Sequence, residues 1–220
     1  MIHQHILNSL ISDLAQSYGP INYHHFTQMA DVIDHAMQQY PRVLALRVDL
    51  RFPYQDGDMP SYEYRADSAV ISRFIDALKA KIAAEALCKK RKGKAVHPCQ
   101  LFHIWVRECC TSHHEHYHLL LLFNRDRYFR LGNFDNKDDD TLLNKIRASW
   151  ASALALQPSD AVGLVHIPAN AEYYLERQRA PTHLEAQIRE LLFRVGYLAK
   201  MDSKLDRPGY RSFGCSRVKN

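Results

Sequence analysis

Hydrophobic residues recur every three or four positions in the first forty residues, which predicts two helices. The first stripe is Ile6, Leu7, Leu10, Ile11 and Leu14, and the second is Phe26, Met29, Val32, Ile33 and Met37. Gly19-Pro20 separates the two stripes and Pro41 follows the second, as expected for residues that end helices. We interpret residues 1–40 as a helical extension that precedes the main domain.

The rest of the chain alternates between strand and helix patterns. Segments 42–51, 100–108, 115–123 and 161–167 are rich in β-branched, aromatic and aliphatic residues, which predicts four strands. Apolar stripes at helical spacing predict helices over 68–87, 141–156 and 182–201. Four strands and alternating helices are compatible with an α+β fold but do not by themselves establish it. We assign residues 41–204 to one domain and residues 205–220 to a basic tail, ordered by itself or by a partner.

Composition and charge narrow the class of protein. The 220 residues are 46% hydrophobic and 24% charged, as is usual for a soluble globular protein. No apolar run has the length of a membrane span, and the N-terminus lacks the features of a signal peptide. Five cysteines without a C-x-x-C motif do not predict a disulfide framework, so we expect a cytoplasmic protein. The net charge of +5 suits a polyanionic partner, although proteins that bind none often carry as much.

Two histidines flank a tyrosine at the start of the third predicted strand. Because side chains alternate along a strand, His116 and His118 point to one face and Tyr117 to the other. Imidazole is the commonest metal ligand in proteins. A chain with 13 histidines also produces clusters by chance, so the pair alone leaves the two interpretations balanced.

Two acidic residues are candidates for a third ligand. Glu108 precedes His116 and His118 by even separations, so a regular antiparallel hairpin places all three side chains on one face. A β-bulge in the turn would reverse that prediction. Asp49 interrupts the first strand and is the alternative ligand, although we favour slightly an outward-facing carboxylate.

The last predicted helix carries a tyrosine among charged residues. Tyr197 and Lys200 lie one turn apart on the same face, next to Arg194. Tyr174, which follows Tyr173 at the expected start of another helical segment, is the reserve candidate for the same role.

These groups together suggest phosphodiester chemistry. Two imidazoles and a carboxylate can hold a divalent ion while leaving coordination positions open for a substrate oxygen. Such an ion polarises a phosphodiester, and a cation such as Lys200 can stabilise a tyrosine nucleophile or contact the phosphate. Attack by Tyr197 would cleave a DNA strand and leave a phosphotyrosyl bond and a free hydroxyl that can prime synthesis.

The same residues resemble a known superfamily. His116-Tyr117-His118 resembles the histidine-hydrophobic-histidine motif of the HUH endonucleases, and Tyr197-Leu-Ala-Lys200 resembles their Tyr-x-x-Lys motif. More narrowly, the chain from 42 to 217 is similar to the replication-associated proteins of filamentous phages (inoviruses) and their enterobacterial prophage relatives. The segments are Trp105-Val-Arg-Glu108, His116-Tyr-His-Leu-Leu-Leu-Leu-Phe-Asn124, Gly196-Tyr-Leu-Ala-Lys-Met-Asp-Ser-Lys204 and Arg211-Ser-Phe-Gly-Cys-Ser-Arg217.

The resemblance implies a fold, an activity and roles for residues. It implies an antiparallel, ferredoxin-like sheet with the histidine strand central, and an enzyme that starts rolling-circle replication. Glu108, His116 and His118 would hold Mg²⁺ or Mn²⁺, with Tyr197 and Lys200 as catalytic residues. The expected partners are single-stranded or origin hairpin DNA and, since the sequence has no P-loop motif, a host helicase and polymerase. The candidates for DNA contacts are Lys89, Lys90, Arg91, Lys92, Arg194, Lys204 and Arg211.

Two other interpretations remain open at this point. The protein could bind DNA as a regulator that keeps the fold without cutting. Alternatively, a zinc site could use Cys109, Cys110, His113 and His114 with the histidine pair. Cys109 and Cys110 would point to opposite faces of a sheet and lack the usual two-residue spacer, which disfavours zinc.

Overall fold

Five α-helices and six strands make up the described part of the chain. The computed structural model describes residues 4–53, 63–109, 115–132, 141–201 and 209–218. The helices are α1 (Gln4–Tyr18), α2 (Tyr23–Gln39), α3 (Val70–Arg91), α4 (Leu142–Leu154) and α5 (Pro181–Gly196), and a 3₁₀ turn (Tyr197–Ala199) follows α5. The strands are β1 (Arg42–Arg51), β2 (Phe102–Cys109), β3 (Glu115–Asn124), β4 (Val165–His166), β5 (Glu172–Glu176) and β6 (Phe213–Cys215).

The strands form one antiparallel sheet in the order β4-β1-β3-β2-β6, and β5 also pairs with β1. The histidine strand β3 is therefore central, and residues 119–123 are fully buried. Its continuous apolar run follows from this position, since a strand covered on both faces buries every side chain. The predictions of an α+β fold and an antiparallel sheet are confirmed.

Helices cover both faces of the sheet. One hydrophobic cluster joins α3 and α4 to the face that carries Trp105, Tyr117 and Leu119. The second joins α1, α2 and α5 to the face that carries Val43, Ile104 and Leu120. The N-terminal helices therefore supply part of the core, because their apolar stripes cover a sheet face that would otherwise be exposed to water.

Local sequence explains where several elements begin. The side chain of Asn22 accepts a hydrogen bond from the backbone N–H of His25 and caps α2. Thr141 caps α4 in the same way, accepting from the N–H of Asn144. Pro181 occupies the first turn of α5, where its missing N–H costs nothing.

Several predicted elements differ from the structure. The predicted strand 161–167 is reduced to two residues of β4, and Tyr173 and Tyr174 lie on β5 rather than on a helix. The expectation of a helix was wrong because this segment forms a strand that pairs with β1. Since side chains alternate along a strand, Tyr173 and Tyr174 point to opposite faces of the sheet. The last helix ends at Gly196, five residues before the predicted end at 201.

The C-terminal tail contributes strand β6 to the edge of β2. Gly214 lies directly on the indole ring of Trp105, where an added Cβ would come within 2.5 Å of a ring carbon. A residue without a side chain is required for this close approach. Within the described ranges, no helix combines the length and hydrophobicity that a bilayer span requires.

Candidate active site

The pairing of β2 with β3 places an acidic residue directly opposite a histidine. Glu108 faces His116 and Val106 faces His118 in the ladder, so Glu108, His116 and His118 share one face of the sheet. This is the regular register that the even separations predicted, without a bulge between the paired residues. The predicted trio is therefore brought together.

The three side chains converge on one point. Nε2 of His116 lies 3.0 Å from Nε2 of His118, which in turn lies 3.5 Å from Oε2 of Glu108. One ligand atom from each residue lies within 4.8 Å of the others. Ligands about 2.1 Å from one ion and at right angles to each other are about 3.0 Å apart, so the separations of 3.0 and 3.5 Å suit a single divalent cation.

Burial differs between the members of this cluster. Glu108 is 2% exposed, whereas both histidines are partly exposed. A buried carboxylate needs a cation or hydrogen-bond donors to offset its lost hydration. The open side of the histidine pair leaves room for a substrate oxygen, as in catalytic rather than structural metal sites.

Asp49 orients one of the histidines. It lies opposite His118 in the β1–β3 ladder, and its Oδ1 is 2.6 Å from Nδ1 of His118. Its Oδ2 is 3.2 Å from Nδ1 of His166 on β4. The slight preference for an outward-facing Asp49 was wrong, because its pairing with β3 turns the carboxylate to the histidine face and leaves it 8% exposed.

The charges around Asp49 fix its protonation state. Burial by itself raises the pKa of Asp49, but the hydrogen bond and charge of His118, together with Arg47, outweigh burial and lower that pKa to about 2. The ionised carboxylate therefore accepts a hydrogen bond from Nδ1 of His118, which directs Nε2 of that ring to His116 and Glu108. Asp49 thus supports the metal ligand.

Tyr197 contacts the ligand cluster from the helical layer that covers this face of the sheet. Its hydroxyl lies 3.3 Å from Oε2 of Glu108, and its ring packs edge-on against the imidazole of His118. Nζ of Lys200 lies 2.8 Å from the Tyr197 hydroxyl and 3.6 Å from Oε2 of Glu108. Burial lowers the pKa of Lys200, but its hydrogen bond to Tyr197 and the charge of Glu108 raise it overall, so the ammonium stays charged.

The tyrosine lies on the 3₁₀ turn rather than within the predicted helix. Three residues per turn keep Tyr197 and Lys200 on one face, so the predicted adjacency is observed in a tighter geometry. The turn is held from outside by the segment that joins α1 to α2. The N–H of Asn22 donates to the carbonyl of Ala199 at 2.8 Å, and the N–H of Met201 donates to that of Pro20 at 2.8 Å.

Two further aromatic and apolar contacts come from α1. The ring of Tyr18 packs edge-on against Tyr197 with centroids 5.6 Å apart. Leu14 packs so closely against Gly196 that an added Cβ would lie 2.2 Å from its Cδ2. Sequence reasoning gave residues 1–40 no functional part, because nothing local links them to a turn about 180 residues away.

Arg47 is a functional candidate that sequence reasoning missed. Its side chain is 4% exposed, and one of its terminal nitrogens lies 3.5 Å from Oδ1 of Asp49. Burial lowers the pKa of Arg47, and the nearby charge of Arg194 on α5 lowers it further. Two charged residues at i and i+2 in a strand that is otherwise apolar were the available signal, because buried charges require partners.

The predicted DNA-contacting residues lie in different places. Lys89, Lys90 and Arg91 form the last turn of α3, and Lys92 caps it. Lys90 shares a cleft with Gln100, and Gln100 lies eight positions before Glu108, a span of about 27 Å in an extended chain. The structure therefore brings Arg194 near the candidate centre but not this basic cluster. Arg211 is exposed near Trp105, and Lys204 lies outside the described residues.

The alternative zinc site is not tested by the described residues. Cys110, His113 and His114 lie outside the described residues. Cys88, Cys99 and Cys215 are free thiols, and burial raises the pKa of the Cys99 thiol to about 11. None of these three thiols belongs to the predicted zinc set.

Comparison with known proteins identifies the family. The family model described as the YagK/YfjJ C-terminal domain matches residues 6–216. The chain belongs to this family. It is 41% identical to the uncharacterized protein YagK of Escherichia coli strain K12 over 182 residues, which cover 82% of this chain and 86% of YagK. It is 37% identical to the uncharacterized protein YfjJ of the same strain over 195 residues, covering 86% of this chain and 92% of YfjJ. No solved structure matches the chain.

The extent of the YagK/YfjJ family match agrees with the packing. The match begins at residue 6, so it includes α1 and α2 as well as the sheet. The helices that hold the Tyr197 turn are therefore part of the family's shared domain.

Proposed function

We propose that this protein is a metal-dependent DNA endonuclease and strand transferase of the HUH type that initiates rolling-circle replication of a phage or prophage. The observation that carries the proposal is the position of the Tyr197 hydroxyl, 3.3 Å from Glu108 and 2.8 Å from Lys200. A phenol, an ammonium and a three-residue ligand cluster thus meet at one partly exposed point.

The ligand set favours a divalent cation at this point. Imidazole nitrogens of His116 and His118 and a carboxylate oxygen of Glu108 suit Mn²⁺, and Mg²⁺ with added water ligands. When bound, such an ion would polarise a phosphodiester oxygen and stabilise negative charge in the transition state. Asp49 keeps the imidazole of His118 in the orientation and tautomer that binding requires.

Tyr197 is the nucleophile in the proposed reaction. Its Oη forms a bond to the scissile phosphorus while the bond from phosphorus to the leaving O3′ breaks, so one phosphodiester is exchanged for another. The phenolic proton passes to water, and the leaving oxygen takes a proton from water. Lys200 donates a hydrogen bond to Oη and stabilises the phenolate as it forms. The 3′-hydroxyl that is released can prime synthesis.

Positive charge near the site supports a polyanionic substrate. Arg47 and Arg194 lie close enough for their charges to interact on the same sheet face as the ligands. Because Arg47 is held by Asp49, its guanidinium is fixed before a substrate arrives. The net charge of +5 acts in the same direction.

The proposal extends to the fold and the partners. The four strands in the order β4-β1-β3-β2, with α3 and α4 as connections, would form the ferredoxin-like core of an HUH enzyme, and β5 and β6 would be additions to it. Strand separation and synthesis would come from a host helicase and polymerase in the bacterial cytoplasm. Lys89, Lys90, Arg91 and Lys92 lie too far from Tyr197 to contact the scissile phosphate, so any contact they make is with flanking DNA.

Covalent capture of DNA tests the proposal. The full-length protein is incubated with a library of 40-nucleotide single strands containing a randomised centre, with Mn²⁺ or Mg²⁺, and adducts are isolated on denaturing gels and sequenced. We expect a protein–DNA adduct that resists denaturation, disappears with chelator and is absent in Tyr197→Phe. Tyr174→Phe is the matched control and should form the adduct as the wild type does.

Other outcomes point elsewhere. An adduct that persists in Tyr197→Phe and is lost in Tyr174→Phe would assign the nucleophile to β5. Sequence-specific DNA binding without any adduct would favour the regulator that binds without cutting.

A further inference from the structure

A second polar cavity lies on the sheet face opposite the metal ligands. Trp105, Arg107 and Tyr117 alternate along β2 and β3 with Glu108, His116 and His118, so they point away from the candidate active site. They line a cavity of about 260 Å³ together with Ser68 and Ser72 at the beginning of α3 and Arg211 ahead of β6. The cavity and the ligand cluster therefore occupy the same end of the same two strands.

Arg107 is the central charged group of this cavity. It is 2% exposed, one of its terminal nitrogens pairs with Glu115, and its guanidinium lies over the ring of Tyr210 at 4.3 Å. Its Nε has no hydrogen-bond partner among the described residues. A buried donor without an acceptor has lost its hydration without compensation, so an added acceptor in the cavity would be favourable.

The charges around the cavity favour an anion. Glu115 is paired with Arg107, and the nearby Asp67 is held by Arg65 and Arg73. Arg211 is exposed, with its guanidinium 5.8 Å from the centre of the Trp105 ring. Arg211 therefore adds an exposed cation beside a cavity whose buried cation, Arg107, has an unpaired Nε.

We infer that this cavity is a second nucleotide site, in which Arg107 and Arg211 bind a backbone phosphate of single-stranded DNA. The planar guanidinium suits the paired oxygens of a phosphate, and the partly exposed ring of Tyr210 offers a surface for a base. A DNA strand that passes round this end of the β-sheet would reach both the cavity and the candidate active site on the opposite face. The cavity would therefore hold DNA that flanks the nick. The identity of the ligand as DNA rests on the proposed function, whereas the phosphate chemistry does not.

Metal-free binding of a short oligonucleotide tests the inference. A fluorescein-labelled oligothymidylate of twelve nucleotides is titrated with full-length protein in EDTA, and anisotropy is followed from low to high salt. We expect Arg211→Ala to weaken binding about 5-fold and to reduce the salt slope by about 0.7, the value for one lost contact to single-stranded DNA. Arg107→Lys keeps the charge and the pairing with Glu115 but loses the planar fork, and it should also weaken binding.

Arg179→Ala is the matched control. It removes an equally exposed arginine beyond β5, at the opposite end of the sheet, and should leave the affinity and the salt slope unchanged. The inference is overturned if Arg211→Ala and Arg107→Lys bind like Arg179→Ala, or if the wild type does not bind the oligonucleotide. Failure of the proposed function would give a different result. The protein would bind the oligonucleotide in a way that depends on Arg211, but no covalent adduct between Tyr197 and DNA would form.

Discussion

The imidazole of His118 donates a hydrogen bond from Nδ1 to the Asp49 carboxylate at 2.6 Å, and the two residues are direct neighbours across the β1–β3 ladder. Since both backbones are fixed by the sheet, the ring cannot turn without breaking this bond. The histidine is thus oriented before any cation binds, which lowers the entropic cost of forming the site.

Substitution of Asp49 tests this arrangement. We expect Asp49→Asn to weaken Mn²⁺ binding by about 10–100-fold, because an amide holds the His118 tautomer and basicity less well than a carboxylate does. Isothermal titration calorimetry with Mn²⁺ measures the change. Asp126→Asn removes a carboxylate that pairs with Arg42 at the other end of β1 and should bind Mn²⁺ as the wild type does. Equal affinity of a folded Asp49→Asn would contradict the assigned role.

Lys200 is expected to act on the rate rather than on metal occupancy. In Lys200→Met the phenolate that forms on Tyr197 loses a donor 2.8 Å away, so adduct formation should slow by about 10²–10³-fold. The rate is measured at saturating Mn²⁺, which compensates for any change in affinity caused by the lost contact to Glu108. A wild-type rate in this variant would remove Lys200 from the mechanism.

The parts of the site that lie close together in sequence could be predicted. Glu108 and His116 belong to consecutive strands, and the register of a hairpin follows from the parity of the separation. Tyr197 and Lys200 are three residues apart, so either an α-helix or a 3₁₀ turn brings them to one face. The apolar run of β3 likewise indicated a buried strand.

The parts that depend on distant pairing could not be predicted. Asp49 lies 69 residues before His118, and no local pattern states which strand becomes the neighbour of β3. The contact between the α1–α2 connection and the Tyr197 turn joins residues that lie even further apart in the sequence. It could not be predicted because it depends on which face of the sheet the N-terminal helices cover. The sequence shows that the end of α3 is basic. It does not show how far this cluster lies from the candidate active site, because that distance depends on the direction of α3 across the sheet.

The contact between Gly196 and Leu14 predicts a compensating pair of substitutions. Gly196→Ala places a methyl group 2.2 Å from Cδ2 of Leu14, which is fully buried and cannot move aside freely. We expect a loss of about 1–3 kcal/mol in unfolding free energy. Leu14→Ala alone should cost about 2–5 kcal/mol, and the double variant should lose less than the sum. Urea unfolding measures all four proteins, and simple additivity would show that the two positions do not compete for space.

Glu85 predicts how stability depends on pH away from the candidate active site. Its carboxylate accepts a hydrogen bond from Tyr128 at 2.6 Å and lies 3.1 Å from Arg127 and 3.4 Å from Lys145. Burial raises the pKa of Glu85, but these partners, together with Lys89, outweigh burial and lower it. A carboxyl group whose pKa is lower in the folded state stabilises the protein above its unfolded pKa of about 4.3 and loses this effect as pH falls through the folded value.

Glu85→Gln should therefore destabilise the protein in a pH-dependent way. We expect the variant to be about 3 kcal/mol less stable than the wild type at pH 7, because the buried cations lose their counter-charge. The difference should shrink as pH falls from about 4.3, where the carboxyl group of the unfolded chain takes up a proton, through the lower pKa of the folded state. Glu185→Gln removes an exposed partner of Arg189 and should change stability by less than about 1 kcal/mol at any pH. A Glu85→Gln difference that stays constant from neutral to acidic pH in urea unfolding would show that the carboxylate charge does not stabilise the fold.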